Sequence, residues 1–206
     1  MRTARRSVMI TLGVVALAAT TLPGCAFLSP ANVEMTTAML DKMPQQLPHR
    51  DPHPAILLVF PAEADSVYDT TRMAYTLRPY EVAYFSRHQW GEKPSQMLQP
   101  LLVRTLAATG YFSAVLTPPH TGPYTYALRV QVLDLVQDFT LVSASLRLSL
   151  QLRLSDYATD RVVATKEIAL REPMLQKTPY AGVVAANDAT ARALQEIAAF
   201  VLEHAN

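Results

Sequence analysis

The sequence predicts an α/β fold, in which a mixed, largely antiparallel sheet contains a meander of long strands and carries two main helices. Apolar and polar residues alternate at every second position in "YTYALRVQV" and "SLRLSLQLRLS", the period of strands with one buried face. Leucine or alanine recurs at helical spacing in two other segments. The chain has one cysteine, so no internal disulfide can form and an apolar core must stabilise the fold.

The first 24 residues have the layout of a lipoprotein signal peptide. Three arginines form a positive n-region, and residues 8–22 are uncharged, apolar and short for a membrane span. The following "LPGC" resembles a bacterial lipobox, which implies cleavage before Cys25 and acyl chains, palmitate among them, on this cysteine. The alternative is an ordinary signal peptide cleaved elsewhere, which would leave Cys25 as a free thiol.

Residues 25–54 follow as the lipidated cysteine and a proline-rich tether. Several acyl chains anchor stably where one is marginal, and Ala26 stands where an inner-membrane retention signal would have aspartate. Together these features imply anchoring on the periplasmic face of the outer membrane. Five prolines within residues 26–54 exclude regular helix and sheet. We therefore predict a semi-extended tether, in which residues 35–43 could form a turn of helix.

The folded domain, residues 55–206, begins with "AILLVFP", a short apolar run typical of a buried strand. Two β-rich pieces follow around the turn sequence "LRPY". In "PSQMLQPLLVRTLAAT" leucines recur at helical spacing, and Gly110 suits the left-handed position that follows a helix. Pro100 should kink this helix or confine its regular part to the downstream side. "YFSAVLTPP" then predicts a return strand.

The second half of the domain contains the meander and the last helix. The two alternating segments are followed by the turn "DYATD" and a third strand, "RVVATKEIALRE". The final element, residues 180–205, is alanine-rich and should pack on the sheet as a helix. Its apolar stripe contains Ala186, Ala189, Ala193, Ile197 and Phe200.

Signatures of catalytic and ligand-binding chemistry are missing from the sequence. The charge is balanced, with 18 basic and 17 acidic side chains, unlike the basic footprint of nucleic-acid-binding proteins. The glycines form neither a phosphate-binding loop nor a dinucleotide-binding turn. His49 and His53 are close together, but the prolines around them exclude the helix that would align them on a metal. We therefore predict a protein that is not an enzyme, with no catalytic residue, cofactor or metal.

The candidate binding surface lies in "AYTLRPYEVAYFSRHQW", where large aromatic residues and arginines concentrate. These residue types are enriched at interaction hot spots. An alternating strand needs only every second residue to be apolar, so the excess either fills space under a loop or faces a partner. The predicted partner-binding residues are Arg72, Tyr75, Arg78, Tyr80, Tyr84 and Trp90.

Residues 71–116 resemble the ABC-type transport auxiliary lipoprotein family, which includes the lipoprotein of the paraquat-inducible operon. The shared pattern is Tyr75, Tyr84 and Trp90, then Pro94 opening a leucine-spaced helix, then "GYFSAV". The likeness continues through the alternating strands and the last helix and covers residues 55–204. Family members often have arginine directly after the first tyrosine, where this chain has threonine.

The resemblance implies a fold like the amino-terminal domain of the Tol-system propeller protein, with helices on both faces of a mixed sheet. It also implies partnership with a mammalian-cell-entry-domain protein, an ABC permease and an ATPase that move lipids or other hydrophobic compounds between the two membranes. A homo-oligomer is a further expectation, and no nucleic-acid partner is expected. The competing hypothesis is a structural or assembly lipoprotein that binds other envelope proteins without a transport role.

Overall fold

The computed structural model of the protein describes residues 34–205, so the predicted signal peptide and Cys25 lie outside the described residues. The described chain forms nine strands and two helices. The strands are β1 (Thr36–Ala38), β2 (His53–Val59), β3 (Glu63–Ala64), β4 (Arg72–Thr76), β5 (Ala83–Trp90), β6 (Phe112–Leu116), β7 (Tyr126–Asp138), β8 (Ser145–Asp156) and β9 (Arg161–Pro173). The helices are α1 (Pro94–Ala108) and α2 (Pro179–His204).

Strand β7 organises the sheet. It pairs along its length with β8 in antiparallel orientation, and β8 pairs in the same way with β9. The other edge of β7 is shared by three short parallel strands, with β2 at its start, β3 in the middle and β4 at its end. Beyond these, β6 extends the sheet from β2, while β5 and then β1 extend it from β4. The prediction of a mixed sheet with a long antiparallel meander is confirmed.

Both helices pack on one face of the sheet. The alternating leucines of β8 are at most 4% exposed and share a core with leucines of α1 and alanines of α2. The two helices also contact each other. On the opposite face Gln151 and Arg153 are exposed.

The expectation of helices on both faces is therefore wrong. The physical reason is visible in β8, whose second face carries polar side chains that could not bury the apolar stripe of a helix. The likeness to the Tol-system domain itself stays a prediction.

Helix α1 begins at Pro94, in the first turn, where a missing N–H costs no helical bond. It continues through Pro100, so the expectation that its regular part lies only downstream is wrong. Leu98, Leu101 and Leu102 are at most 3% exposed, and their burial outweighs the one bond that Pro100 removes. Gly110 has φ of +66°, which confirms the left-handed position after the helix.

A β-bulge in β7 changes which residues face the core. Up to Val132 the even-numbered residues are buried against the helices. The pairing with β8 then skips Leu133, because Val132 pairs with Leu150 and Asp134 with Ser149. From there the odd-numbered Leu135 enters the core, and Asp134 faces the side away from the helices.

Residues 34–54 are packed against the domain, which corrects the prediction of a semi-extended tether, and the strand β1 stands where a turn of helix was expected. β1 pairs in parallel with β5, and Leu40 is 6% exposed within the core. The side chain of Asn187 accepts hydrogen bonds from the backbone N–H groups of Asp41 (2.9 Å) and Lys42 (3.1 Å). The compact unit thus begins at Glu34. β1 could form because no proline stands between residues 31 and 43 to remove a ladder donor.

Candidate functional site

The predicted partner-binding residues lie along the β4–β5 hairpin. Its turn, residues 77–82, is exposed throughout. Tyr80, at its centre, has φ of 68° and a fully exposed side chain. Arg78 is 77% exposed and lies 3.9 Å from the carboxylate of Glu81, a solvent-screened contact that contributes little to stability. The turn therefore presents an aromatic ring and a cation directly to the surroundings.

Tyr75 belongs to an aromatic cluster at the base of this turn. Its ring lies 4.5 Å from that of Phe85 and 6.2 Å from that of Phe139, measured between centroids. Leu77 and Lys177 complete the lining of a shallow pocket over these rings. The half-buried Tyr75 thus connects the β4–β5 turn to the loop that follows β7.

Arg72 and Tyr84 form a separate pair. The guanidinium carbon of Arg72 lies 4.1 Å from the ring centroid of Tyr84, a cation–π geometry. The Tyr84 hydroxyl donates to the carbonyl oxygen of Val67 at 2.9 Å, which fixes the ring. Ala74, the ladder partner of Tyr84, also pairs with Val136 of β7. Because Val136 follows the bulge at an even-numbered position, this pair lies on the face without helices, which we call the open face.

Trp90 does not belong to the surface. Its side chain is 3% exposed and lies in the core with Leu40 and Met97. It occupies the last position of β5, beside Ala38 of β1 in the sheet. The prediction that Trp90 binds a partner is wrong, because its side chain is buried in the core.

Sequence reasoning missed two loops that the sheet register brings beside the β4–β5 turn. Thr76, at the end of β4, pairs with Asp138 at the end of β7. Ser145, which begins β8, pairs with Pro173 at the end of β9. The loops 139–144 and 174–178 therefore emerge at the same end of the sheet as the turn 77–82. Hydrogen bonds from the backbone N–H of Phe139 to the carbonyl oxygen of Thr76 (2.9 Å) and from that of Met174 to the carbonyl oxygen of Ala144 (3.0 Å) hold them together.

We call these three loops, with the first turn of α2, the tip. It carries the six most exposed large apolar side chains of residues 34–205, with exposed fractions from 62% to 106%. They are Leu77, Tyr80, Leu141, Val142, Leu175 and Tyr180. The available signal was the presence of "LV" and "ML" inside short connections whose other residues are mostly polar.

A polar cluster on the open face supports the base of the tip. Asp138 accepts hydrogen bonds from Thr140 (2.6 Å from its hydroxyl) and from Arg171 (3.0 Å). Burial alone would raise the pKa of Asp138, but these bonds and the charge of Arg147 lower the pKa below its ordinary value. Arg171 also donates to the Ser145 hydroxyl at 2.7 Å. The cluster thus joins the ends of β7, β8 and β9.

Asp134 belongs to the same cluster, but its pKa is shifted in the opposite direction. Burial raises its pKa, although a hydrogen bond from Tyr68 and the nearby Arg147, at 3.4 Å, act to lower it. Burial, followed by the bond to Asp134, also raises the pKa of the Tyr68 phenol. Two carboxylates and two guanidinium groups therefore meet within a few residues of the tip, and their charges balance one another.

A groove of about 640 Å³ runs from the tip between the N-terminal segment and α2. Met39, Met73 and Val184 give it apolar walls, and it shares Tyr180 with the tip. Within residues 34–205 no three His, Cys, Asp or Glu side chains are grouped so that they could hold a metal ion. Neither helix in this part of the chain is long and apolar enough to cross a membrane.

Comparison with solved structures finds the same fold elsewhere. Protein XCC0632 from Xanthomonas campestris is similar with a TM-score of 0.72 and 20% identity, over 83% of this chain and 96% of that one. The hypothetical protein CT253 from Chlamydia trachomatis is similar with a TM-score of 0.50 and 11% identity, over 75% of this chain and 100% of that one. At these identities the likeness concerns the fold alone. No curated protein matches the sequence.

Comparison with protein families gives a match over most of the domain. The family model for the ABC-type transport auxiliary lipoprotein component matches residues 39–198. The match begins inside the N-terminal segment that packs on the domain and ends within α2. It confirms the resemblance drawn from the tyrosines, Trp90 and the leucine-spaced helix. The chain belongs to the ABC-type transport auxiliary lipoprotein family.

Proposed function

We propose that this protein is a lipid-anchored lipoprotein on the periplasmic face of the outer membrane. In this proposal it is a non-catalytic accessory of a mammalian-cell-entry-type ABC system, which moves lipids or other hydrophobic compounds between the two membranes. The permease and ATPase supply the energy, and this chain contributes binding surfaces. The observation that carries the proposal is the family match over residues 39–198.

The anchor and the domain support the proposal in different ways. The "LPGC" sequence at residues 22–25 supports lipidation of Cys25, and Ala26 supports sorting to the outer membrane. In the described residues, the helices cover one face of the sheet, whereas the open face carries the exposed Arg72 beside Tyr84. Arginine and tyrosine are frequent anchors in protein interfaces. We therefore assign the protein partner to the open face around this pair.

The first experiment tests the anchor. Mass spectrometry of the mature amino terminus should find an acylated cysteine at position 25. Full-length Cys25→Ala should leave the membrane fraction and keep its fold, because the domain has its own core. An unmodified Cys25, or cleavage away from the Gly24–Cys25 bond, would refute the lipid anchor.

The second experiment tests the transport role. The full-length chain is purified from membranes of cells that also produce the permease, ATPase and mammalian-cell-entry-domain protein of the same organism. Recovery of these components should fall about tenfold or more with Arg72→Ala or Tyr84→Ala, since hot-spot truncations cost 2 kcal/mol or more of binding. Gln151→Ala, at an exposed position of β8, is the matched control and should bind normally. Recovery of other envelope proteins without any transport component would favour the assembly role.

A further inference from the structure

The tip exposes large apolar side chains in surface loops, which do not need them to stay in contact with water. Single exposed apolar residues are ordinary, but the six largest exposures in residues 34–205 come from separate loops that meet at one end of the sheet. Val142 and Leu175 are 94% and 96% exposed. Clustered exposure of this kind marks a surface that is covered in the working protein.

The charge of the tip is weakly positive. Its charged side chains are Arg78, Glu81 and Lys177, and residues 139–144 contain no ionisable side chain. Lys177 donates to the carbonyl oxygen of Leu141 at 3.4 Å, a neutral group that leaves its charge available. Leucine, valine and tyrosine beside lysine and arginine form the combination that binds the boundary between lipid headgroups and acyl chains.

The first strand of the described chain runs away from the tip. β5 starts at Ala83, next to the tip, and ends at Trp90. β1 runs parallel to it, with Thr36 beside His88 and Ala38 beside Trp90. The start of β1 is therefore nearer the tip than its end is.

The length of chain before β1 limits how far the anchor can be. Cys25 lies nine residues before Glu34. A chain of that length spans at most about 30 Å even when fully extended. Acyl chains on Cys25 would hold the tip side of the domain, rather than its opposite end, next to the bilayer.

We infer that the tip inserts its apolar side chains into the lipid surface of the membrane that holds Cys25. The inference depends on the proposed lipidation and adds an orientation to it. The sheet stands with this end on the membrane, while the open face remains free for a protein. The lipid surface is the occupant we assign to the tip, and a second copy of the chain or a protein partner is a competing outcome of the test.

The experiment uses the full-length, acylated lipoprotein in phosphatidylethanolamine and phosphatidylglycerol vesicles. Acylation blocks the only native cysteine, so an introduced cysteine is the single thiol available to an environment-sensitive fluorophore. Val142→Cys and Leu175→Cys place the probe on the tip. Val162→Cys is the matched control, because it is an exposed valine, 53% accessible, at the start of β9 and so at the opposite end of the sheet.

Spin-labelled lipids in the bilayer should quench the two tip probes by about half or more and leave the Val162 probe unchanged, because quenching requires contact with the acyl region. Thermal unfolding of each labelled variant verifies that the fold is kept. Tip probes that are quenched no more than the control would overturn the inference.

Two other results would also overturn it. A blue shift of the tip probes that grows with protein density, without quenching by lipid, would show that a second copy covers the tip. Protection of the tip only when the transport components are present would assign it to a protein. Mass spectrometry separates these failures from that of the proposed function, since an unacylated Cys25 would overturn both, whereas acylated but unquenched protein would overturn the tip alone.

Discussion

Two aromatic residues of the same hairpin have opposite environments. Trp90 is 3% exposed and contacts the core, whereas Tyr80 is fully exposed at the tip. Both were candidates for the same binding surface, because the sequence shows the type of each residue but not whether it is buried. The difference has a direct consequence for stability.

Trp90→Ala should lower the free energy of unfolding by about 3–5 kcal/mol, the usual cost of removing a large buried aromatic side chain. Tyr80→Ala should change it by less than about 0.5 kcal/mol, because the ring has no buried surface to lose. Urea unfolding of the two variants measures the difference. Equal losses in both would contradict the placement of Trp90 in the core.

The two aspartates of the polar cluster should affect the pH dependence of the free energy of unfolding in opposite directions. The pKa of Asp138 is lowered in the fold, so its ionised form stabilises the protein above the unfolded-state pKa of about 4 and this contribution is lost as pH falls through the folded-state pKa. Asp138→Asn should cost about 1.5–3 kcal/mol at pH 7, the range for hydrogen bonds to charged groups, and less at pH 3.

Asp134 is the internal control for this prediction. Its pKa is raised by burial, so its ionisation opposes folding as pH rises above the unfolded-state value. Relative to the wild-type protein, Asp134→Asn should therefore change the free energy of unfolding more favourably at pH 7 than at pH 3, whereas Asp138→Asn should change it less favourably at pH 7 than at pH 3. Urea unfolding of the wild-type protein and both variants at the two pH values measures this, and the same direction of pH dependence in both variants would refute the assignment.

At the scale of elements, the bulge in β7 decides the composition of both faces of the sheet. Without it, the alternation that begins at Tyr126 would carry Asp134 and Asp138 onto the core face. Leu133 is the extra residue that has no partner in β8, so the alternation shifts by one position after it. Leu135 then faces the core, and both aspartates lie beside arginines on the open face. The bulge is thus what permits charged residues near the end of a strand that starts in the core.

Deletion of Leu133 should leave a folded protein, because it removes the residue that the ladder skips and keeps every later pair in register. The expected cost is below about 3 kcal/mol, within the range of ordinary substitutions. Deletion of Gln151 from β8 is the control. This deletion removes an exposed side chain, but it shifts the alternation of β8 by one position. The leucines on one side of the deletion would then face the open face, so no folded protein is expected. Circular dichroism and thermal unfolding distinguish the two, and failure of both deletions would argue against the bulge.

At the scale of the whole molecule, residues 34–43 pack on the domain, so no free tether separates residue 34 from the core. Asn187 of α2 holds it by three hydrogen bonds, two accepted from Asp41 and Lys42 and one donated to the carbonyl oxygen of Met39 at 3.0 Å. In the proposed anchored protein, a segment fixed in this way would transmit the position of the anchor to the sheet.

Asn187→Ala should release residues 36–43 while the core stays folded. Loss of these bonds should speed hydrogen exchange in the segment by about tenfold, since about 1.4 kcal/mol of lost stabilisation corresponds to that factor. Asp188→Ala, which removes only a surface ion pair with Lys42, should have little effect. Mass-spectrometric exchange measurements report both, and unchanged protection in Asn187→Ala would show that β1 pairing alone holds the segment.

Local patterns were enough to predict most elements. The alternation in β7 and β8, the leucine-spaced helix ending at Gly110 and the alanine-rich α2 are all properties of neighbouring residues, because strand and helix periods are fixed by backbone geometry. The family resemblance was likewise carried by the order and spacing of a few residues. Proline spacing, by contrast, predicted an extended N-terminal segment but not that it would pack on the domain.

The tertiary structure decided everything that depends on residues far apart in the sequence. Burial of Trp90, packing of both helices on one face and the bulge at Leu133 follow from pairing partners that no local pattern names. The tip is the clearest case, since Leu77, Val142 and Leu175 stand in three connections that meet only because the ends of β4, β7 and β9 coincide in the sheet. Strand register, which depends on the apolar pattern of each whole strand as well as on its turns, is what brings these side chains to one surface.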